Sequence, residues 1–245
     1  GDDVRAIDWR VTARSGTAHT KLFHEDREQP ILVAIDQRTP MKFGSTQCFK
    51  SVMAAHVGTL ALWSALGAGE RVGGVVLGDN SLSDTRPKRS QHSVLRVIGD
   101  LVREGAPSAA DRSPSNGLSD LLQQLERIAR PGTRVFLISD FHDLLETDNL
   151  SPLRRLARRT QLVGIAVNDR LEAELPRSGH YSVTDGNHHS SLDTGADSIR
   201  EAYASQYRSN QDLTARRLRE LRIPLLKIST GDDPLRRLLT VFPAR

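Results

Sequence analysis

Two short runs limit the architecture more than anything else in this chain: PILVAID, residues 30–36, and TRVFLISD, residues 133–140. Both are apolar without the polar alternation of a half-exposed strand, and both end on an aspartate, Asp36 and Asp140. A strand of that kind must be covered on both faces, as in a parallel sheet wrapped by helices. Three more runs, 71–77, 161–167 and 224–229, read as further strands. Between them apolar residues recur at helical spacing. A helix is predicted over 47–66 with Phe49, Val52, Met53, Val57, Leu60 and Trp63 on one stripe, Ser45 or Thr46 as cap, and Gly67 or Gly69 as stop. Others follow to Gly105 around Val94, Val97 and Leu101, and over 118–128 before Pro131-Gly132. Ser151-Pro152 opens a short helix. A long one covers 197–221, and a last one 234–239.

This order of strands and helices predicts an α/β, doubly wound, mainly parallel, Rossmann-like sheet with helices on both faces. Residues 105–115 read as a polar loop. Residues 170–196 read as irregular, with short strands near 181–184 and 190–193. The expected organisation is one domain over 29–245, preceded by a segment, 1–28, that adds an edge strand at 19–23.

Composition narrows the function. Of 245 residues, 38% are hydrophobic and 26% charged, a globular balance. No apolar run reaches the roughly 18 residues that span a bilayer. Gly1 opens the sequence without a basic-then-apolar leader, so a fragment is expected, with an upstream membrane anchor left open; the single cysteine fits a reducing, cytoplasmic setting. Cys48 is the single cysteine, which excludes an internal disulfide and a thiolate cluster. It reads as a small hydrophobe on the apolar side of the 47–66 helix. Net charge is +4, a mild excess that does not demand nucleic acid. Two tryptophans, three tyrosines and six phenylalanines supply base stacking poorly.

Ligands of open α/β sheets lie outside the carboxyl ends of the strands. Asp36, Gly78-Asp79, Asp140, Asn168-Asp169 and 230–233 fall there. Two carboxylates at one rim repel unless a cation or a donor lies between them. The alternative is that these aspartates cap helices or solvate loops.

The opening stretch GDDVRAIDWRVTARSGTAHTKLFHEDREQPILVAID, residues 1–36, resembles the bacterial proteins called domain of unknown function 58. So do LISDFHD (137–143), LEAELPRSGHYSVTDG (171–186) and IPLLKISTGDDPLRRL (223–238). The resemblance implies a von Willebrand factor A-type fold and an adaptor or co-chaperone role beside an AAA+ ATPase of the MoxR type. Such domains often hold a divalent metal through Asp-x-Ser-x-Ser at the end of the first core strand. The matching stretch is Asp36-Gln37-Arg38-Thr39-Pro40, which keeps the aspartate and loses both serines. The later aspartate of that site matches Asp140. Its threonine has no match near 115–119, where Ser115, Asn116 or Ser119 could stand in. Proline offers no side-chain oxygen and arginine brings a positive charge, so no cofactor is expected and Mg²⁺ or Mn²⁺ binding is weak or absent. Arg38 is expected to take the metal's electrostatic place beside Asp36, Asp140 or both, or else to point to solvent. Any metal that did bind would use Asp36 and Asp140 with Ser115, Asn116 or Ser119.

Other chemistries fare worse. An aspartyl phosphotransferase needs a second acid two residues after Asp36, where Arg38 stands. There is no Gly-x-Ser-x-Gly elbow and no phosphate-binding glycine loop. Gly73-Gly74 reads as close backbone packing inside a strand. His180, His188 and His189 lack zinc spacing and read as a solvated cluster. His142 lies near the rim without a nucleophile to serve. Basic runs at 87–89, 154–159, 216–222 and 236–237 read as solvated helix faces, or as a surface for an acidic partner or a nucleic-acid backbone. The expected function is therefore non-enzymatic. Asp36, Arg38, Thr39, Asp140 and His142 form a partner-binding rim for a MoxR-type ATPase or another protein client. The alternatives are a metal-dependent phosphoester hydrolase using Asp36 and Asp140, and a nucleic-acid module.

Overall fold

The computed structural model describes residues 29–105, 116–145, 147–177, 179–184 and 189–241, together with Arg14. Ser115, His188, the edge strand expected at 19–23 and the rest of the segment 1–28 apart from Arg14 lie outside these residues. Strand β1 (Ile31–Asp36) leads through a 3-10 turn (Thr39–Met41) into helix α1 (Lys50–Gly67). Strands β2 (Val72–Leu77) and β3 (Leu82–Lys88) form a hairpin, followed by α2 (Gln91–Gly105) and α3 (Leu118–Ile128). Then come β4 (Arg134–Ser139), α4 (Thr147–Arg159), β5 (Gln161–Asn168) and the single turn α5 (Arg170–Ala173). A hairpin of β6 (His180–Thr184) and β7 (His189–Asp193) precedes α6 (Asp197–Glu220), β8 (Leu225–Ser229) and α7 (Pro234–Val241).

Six strands make the main sheet, in the order β3-β2-β1-β4-β5-β8. All neighbours pair parallel except β2 and β3. Side chains alternate across a strand, so each apolar run feeds two cores. Ile31, Val33 and Ile35 join Phe136, Ile138 and Val76 under α1, α2 and α7, with Val57, Val97 and Leu238 above them. Leu32 and Ala34 join Val135, Leu137 and Val75 on the other face, under Leu121, Leu125, Leu156 and Leu218 of α3, α4 and α6. Both faces are covered, which is the doubly wound arrangement.

Several local expectations are corrected. Helix α1 starts at Lys50 with Phe49 as its N-cap, so Ser45 and Thr46 lie upstream of the cap position, and their hydroxyls bond Asp169 and Thr230. Instead the Lys50 amide donates to the Phe43 carbonyl at 2.7 Å. Cys48 therefore precedes the helix, half-buried, with its thiol 3.7 Å from the Thr230 carbonyl oxygen. The buried stripe of α1 is also rotated: Met53, Ala54, Val57, Leu62 and Ala65 face the sheet, while Phe49, Val52 and Trp63 are exposed. Lys50 lies on that buried side, and its ion pairs fix the rotation. Helix α4 begins at Thr147, so Pro152 sits inside it and not in its first position.

Strand β3, Leu-Ser-Asp-Thr-Arg-Pro-Lys, had no apolar signal. It is an edge strand with mostly polar, half-exposed residues, and an edge tolerates its proline. It packs tightly on β2: a Cβ at Gly73 would lie 2.3 Å from the Thr85 carbonyl oxygen and 2.8 Å from the Pro87 nitrogen. Both are backbone atoms and cannot rotate away. Gly73→Ala should cost about 1–3 kcal/mol, and a thermal melt should drop by several degrees; an unchanged melt would contradict this packing.

Candidate functional site

The first crossover runs from β1 to β2, whereas β4 lies on the other side of β1. The chain thus reverses direction across the sheet between β1 and β4, and their carboxyl ends flank the crevice where such folds bind ligands. In register Ile35 pairs with Ile138, so Asp36 and Asp140 project at the same rim.

Asp36 is 1% exposed and accepts four hydrogen bonds. They come from the Arg38 amide (3.1 Å), Arg38 Nε (2.9 Å), Arg38 Nη2 (2.7 Å) and Ser139 Oγ (2.9 Å). Arg38 is 7% exposed and reaches a second carboxylate, with Nη1 2.7 Å from Asp143 Oδ2 and Nη2 3.2 Å from Asp143 Oδ1. Asp143 Oδ2 also accepts the Leu118 amide at the start of α3. One guanidinium therefore joins β1, the loop after β4 and the start of α3. Burial alone would raise the Asp143 carboxyl, but Arg38 and the Leu118 amide outweigh it and hold it below the ordinary value. Burial pushes the Asp36 carboxyl up, against the pull of Arg38. Burial would lower Arg38, yet its two carboxylates raise it, so it stays charged.

Asp140 takes a different cation. Lys50 Nζ lies 2.8 Å from Asp140 Oδ2 and 2.5 Å from Glu172 Oε1, on a side chain only 2% exposed. Phe141 makes the divergence of the two acids achievable. Its φ of 57° is a left-handed conformation that a phenylalanine rarely takes, costing roughly 1–3 kcal/mol. On the two sides of it, Asp140 faces Lys50 and Asp143 faces Arg38.

A third cluster closes the rim. Asp169 caps α5 through the Leu171 amide. It also accepts the Ser45 amide (2.8 Å), the Ser45 hydroxyl (2.5 Å) and the Thr230 hydroxyl (2.5 Å). Burial works against the ionised form, but these donors hold the Asp169 carboxyl below its usual range. The loop before α1 is thereby pinned to the ends of β5 and β8.

Of the residues singled out in the sequence, Asp36, Arg38 and Asp140 meet in this rim as internal framework. Thr39 and His142 are exposed on it. The Thr39 amide and hydroxyl both donate to Asp79, at 2.7 and 2.9 Å. Asn116 is turned away, its side-chain amide 3.2 Å from the Ser81 carbonyl oxygen. Ser119 lies in the first turn of α3. His180 sits in the β6–β7 hairpin, exposed, 4.0 Å from Asp193. Sequence reasoning missed Lys50, Ser139, Asp143 and Glu172. Lys50 carried one usable signal, a cation placed on an otherwise apolar helix.

Next to Lys50 a cavity of about 360 Å³ is lined by Asp140, His142, Glu172, Tyr203, Tyr207 and Asn210. Burial first, and then Glu172, push the Tyr207 hydroxyl up to about 12. Tyr203 moves the same way. Burial would lower Lys50, but Asp140 and Glu172 raise it above the ordinary 10.5. All three groups keep their protons in the folded chain at pH values where the unfolded chain loses them. Their contribution is complete below about 10, the ordinary tyrosine value, and falls as pH rises through the raised values. Unfolding free energy measured in urea should decline above pH 10, less steeply in Tyr207→Phe. A flat profile would contradict this.

A hard cation needs several free oxygens, and in this rim the carboxylate oxygens of Asp36 and Asp140 accept hydrogen bonds from Arg38, Ser139, Lys50 and the His142 amide.

The profile of a family described as "Protein of unknown function DUF58" matches residues 1–213. Uncharacterised proteins of Mycobacterium tuberculosis and Mycobacterium bovis are 29% identical over 242 residues, covering 95% of this chain and 72% of their own. Among solved structures, the conserved hypothetical protein BatB from Bacteroides thetaiotaomicron is similar at 10% identity and a TM-score of 0.48. That match spans 86% of this chain and 95% of that one. The SpRpn10 VWA domain is similar at 13% identity and a TM-score of 0.46, over 88% and 95%. Among the described residues no helix is long and apolar enough to cross a membrane.

Proposed function

The chain belongs to the DUF58 family, and from that premise we propose that it is a non-enzymatic protein-interaction module of von Willebrand A type, an adaptor for an AAA+ ATPase of the MoxR type. In this reading the carboxyl rim is a metal-ion-dependent adhesion site that has lost its metal. Arg38 and Lys50 supply positive charge from within the chain, and Thr39 and His142 offer the contact surface. The observation that supports it is the double neutralisation at the strand ends: Arg38 on Asp36 and Lys50 on Asp140. A carboxylate so engaged is a poor nucleophile and a poor metal ligand, which speaks against a hydrolase using these two acids. Arg38 then positions the rim and does not itself receive a partner carboxylate, because its guanidinium is already shared between two acids.

The test is a pull-down from the source cell with the full chain as bait. A MoxR-type ATPase should be retained, and Thr39→Ala with His142→Ala should weaken its retention; both side chains are exposed, so the fold should survive. Retention of no such ATPase, or retention indifferent to the rim variants, would overturn the reading. Calorimetry with Mn²⁺ should show no micromolar binding.

A further inference from the structure

At the opposite end of the sheet, two of the basic runs converge. Between α4, the end of α6 and the amino-terminal ends of β4 and β5 lies a cavity of about 890 Å³. Its walls carry Arg134, Arg154, Arg158 and Arg222, and its floor includes Leu162, Ile223 and Pro224. Its acid, Glu220, is paired with Arg217 at 3.1 Å. The run on α4 splits by helical spacing. Arg155 and Arg159 are held by Glu126 on α3, through its carboxylate and its carbonyl. Arg154 and Arg158, one turn apart, face the cavity instead. The guanidinium groups of Arg154, Arg158 and Arg222 have no hydrogen-bond or ion-pair partner among the described residues. Arg134 is steadied by Gln161, with its Nη2 3.2 Å from Oε1.

Arg222 adds an independent sign. The Ile223 amide bonds the Leu218 carbonyl and the Arg222 amide bonds that of Arg219, which is the six-to-one and five-to-two pattern of a Schellman stop. The left-handed residue of that stop is normally glycine, yet here an arginine stands at φ 58°. A glycine would adopt this conformation without strain, so the arginine stands here at a cost to the backbone.

We propose that this cavity docks an acidic segment of a partner protein. Its carboxylates would pair with Arg154, Arg158 and Arg222, and an apolar side chain would rest on Leu162 and Ile223. Charge complementarity selects an acid, since planar guanidinium groups bind carboxylates in a bidentate way. The apolar floor selects a peptide over a nucleic-acid backbone, which brings no side chain to cover it. No aromatic residue lines the cavity to stack a base. This surface is separate from the carboxyl rim and does not depend on its role.

The experiment uses the full chain and a fluorescein-labelled peptide of four glutamates around one leucine, read by anisotropy at low salt. Saturable binding is expected. Arg222→Gly should weaken it about threefold while leaving the melting temperature equal or higher, since glycine suits the left-handed stop. Adding Arg154→Ala and Arg158→Ala should bring the loss to roughly 30-fold. Exchanging the peptide's leucine for glutamine should also weaken binding. The proposal is overturned if binding is absent or insensitive to the triple variant. It is equally overturned if a single-stranded oligonucleotide of equal charge competes as well as the peptide.

Discussion

Lys50→Met should lower the melting temperature by roughly 10 °C. The methionine fills much of the lysine stem's volume, so little of the loss comes from packing. What remains is electrostatic. Asp140, whose side chain is 7% exposed, and Glu172 would lose the ammonium they share at 2.8 and 2.5 Å. Breaking a buried pair by removing one partner costs roughly 3–5 kcal/mol, because the other charge stays behind uncompensated. Adding Asp140→Asn should recover a large part of the loss by removing that charge. A single variant melting within about 2 °C of the parent, or a double variant melting lower still, would show that Lys50 does not hold this corner together.

Arg38→Ser combined with Pro40→Ser should convert the rim into a metal site. The double variant rebuilds Asp-x-Ser-x-Ser from Asp36 and removes the guanidinium that fills the space between Asp36 and Asp143. Without metal it should be less stable by roughly 3–5 kcal/mol, since two largely buried carboxylates lose their common partner. Added Mn²⁺ should restore stability in a concentration-dependent way, by about 2.7 kcal/mol at a hundredfold excess over the dissociation constant. The unaltered chain should not respond. A micromolar Mn²⁺ response in the unaltered chain, or none in the variant, would remove Arg38 from the role given to it here.

The strands with two apolar faces were readable because burial on both sides leaves no polar position to confuse the period. For the same reason Asp36 and Asp140 could be placed at one rim. Strand β3 was hidden, because an edge strand needs little apolar content. The stripe on α1 was misread by treating Phe49, Val52 and Trp63 as core. Apolar residues on an exposed face look the same in sequence as those turned inward, and a charged Lys50 argues the wrong way unless its partners are known. Those partners, Asp140 and Glu172, are 90 and 122 residues away. Asp143 was invisible for a different reason: its meeting with Arg38 depends on the backbone reversal at Phe141, and nothing in a phenylalanine advertises a positive φ.

The bonds from Ser45 and Thr230 to Asp169, with Thr46 against Thr230, have a kinetic consequence. They tie the segment before α1 to β5 and β8 before any encounter takes place. A rim braced in this way spends little ordering entropy on contact, so the complex proposed above should form without a slow rearrangement step. Freeing that segment with Asp169→Ala should slow association more than it hastens release.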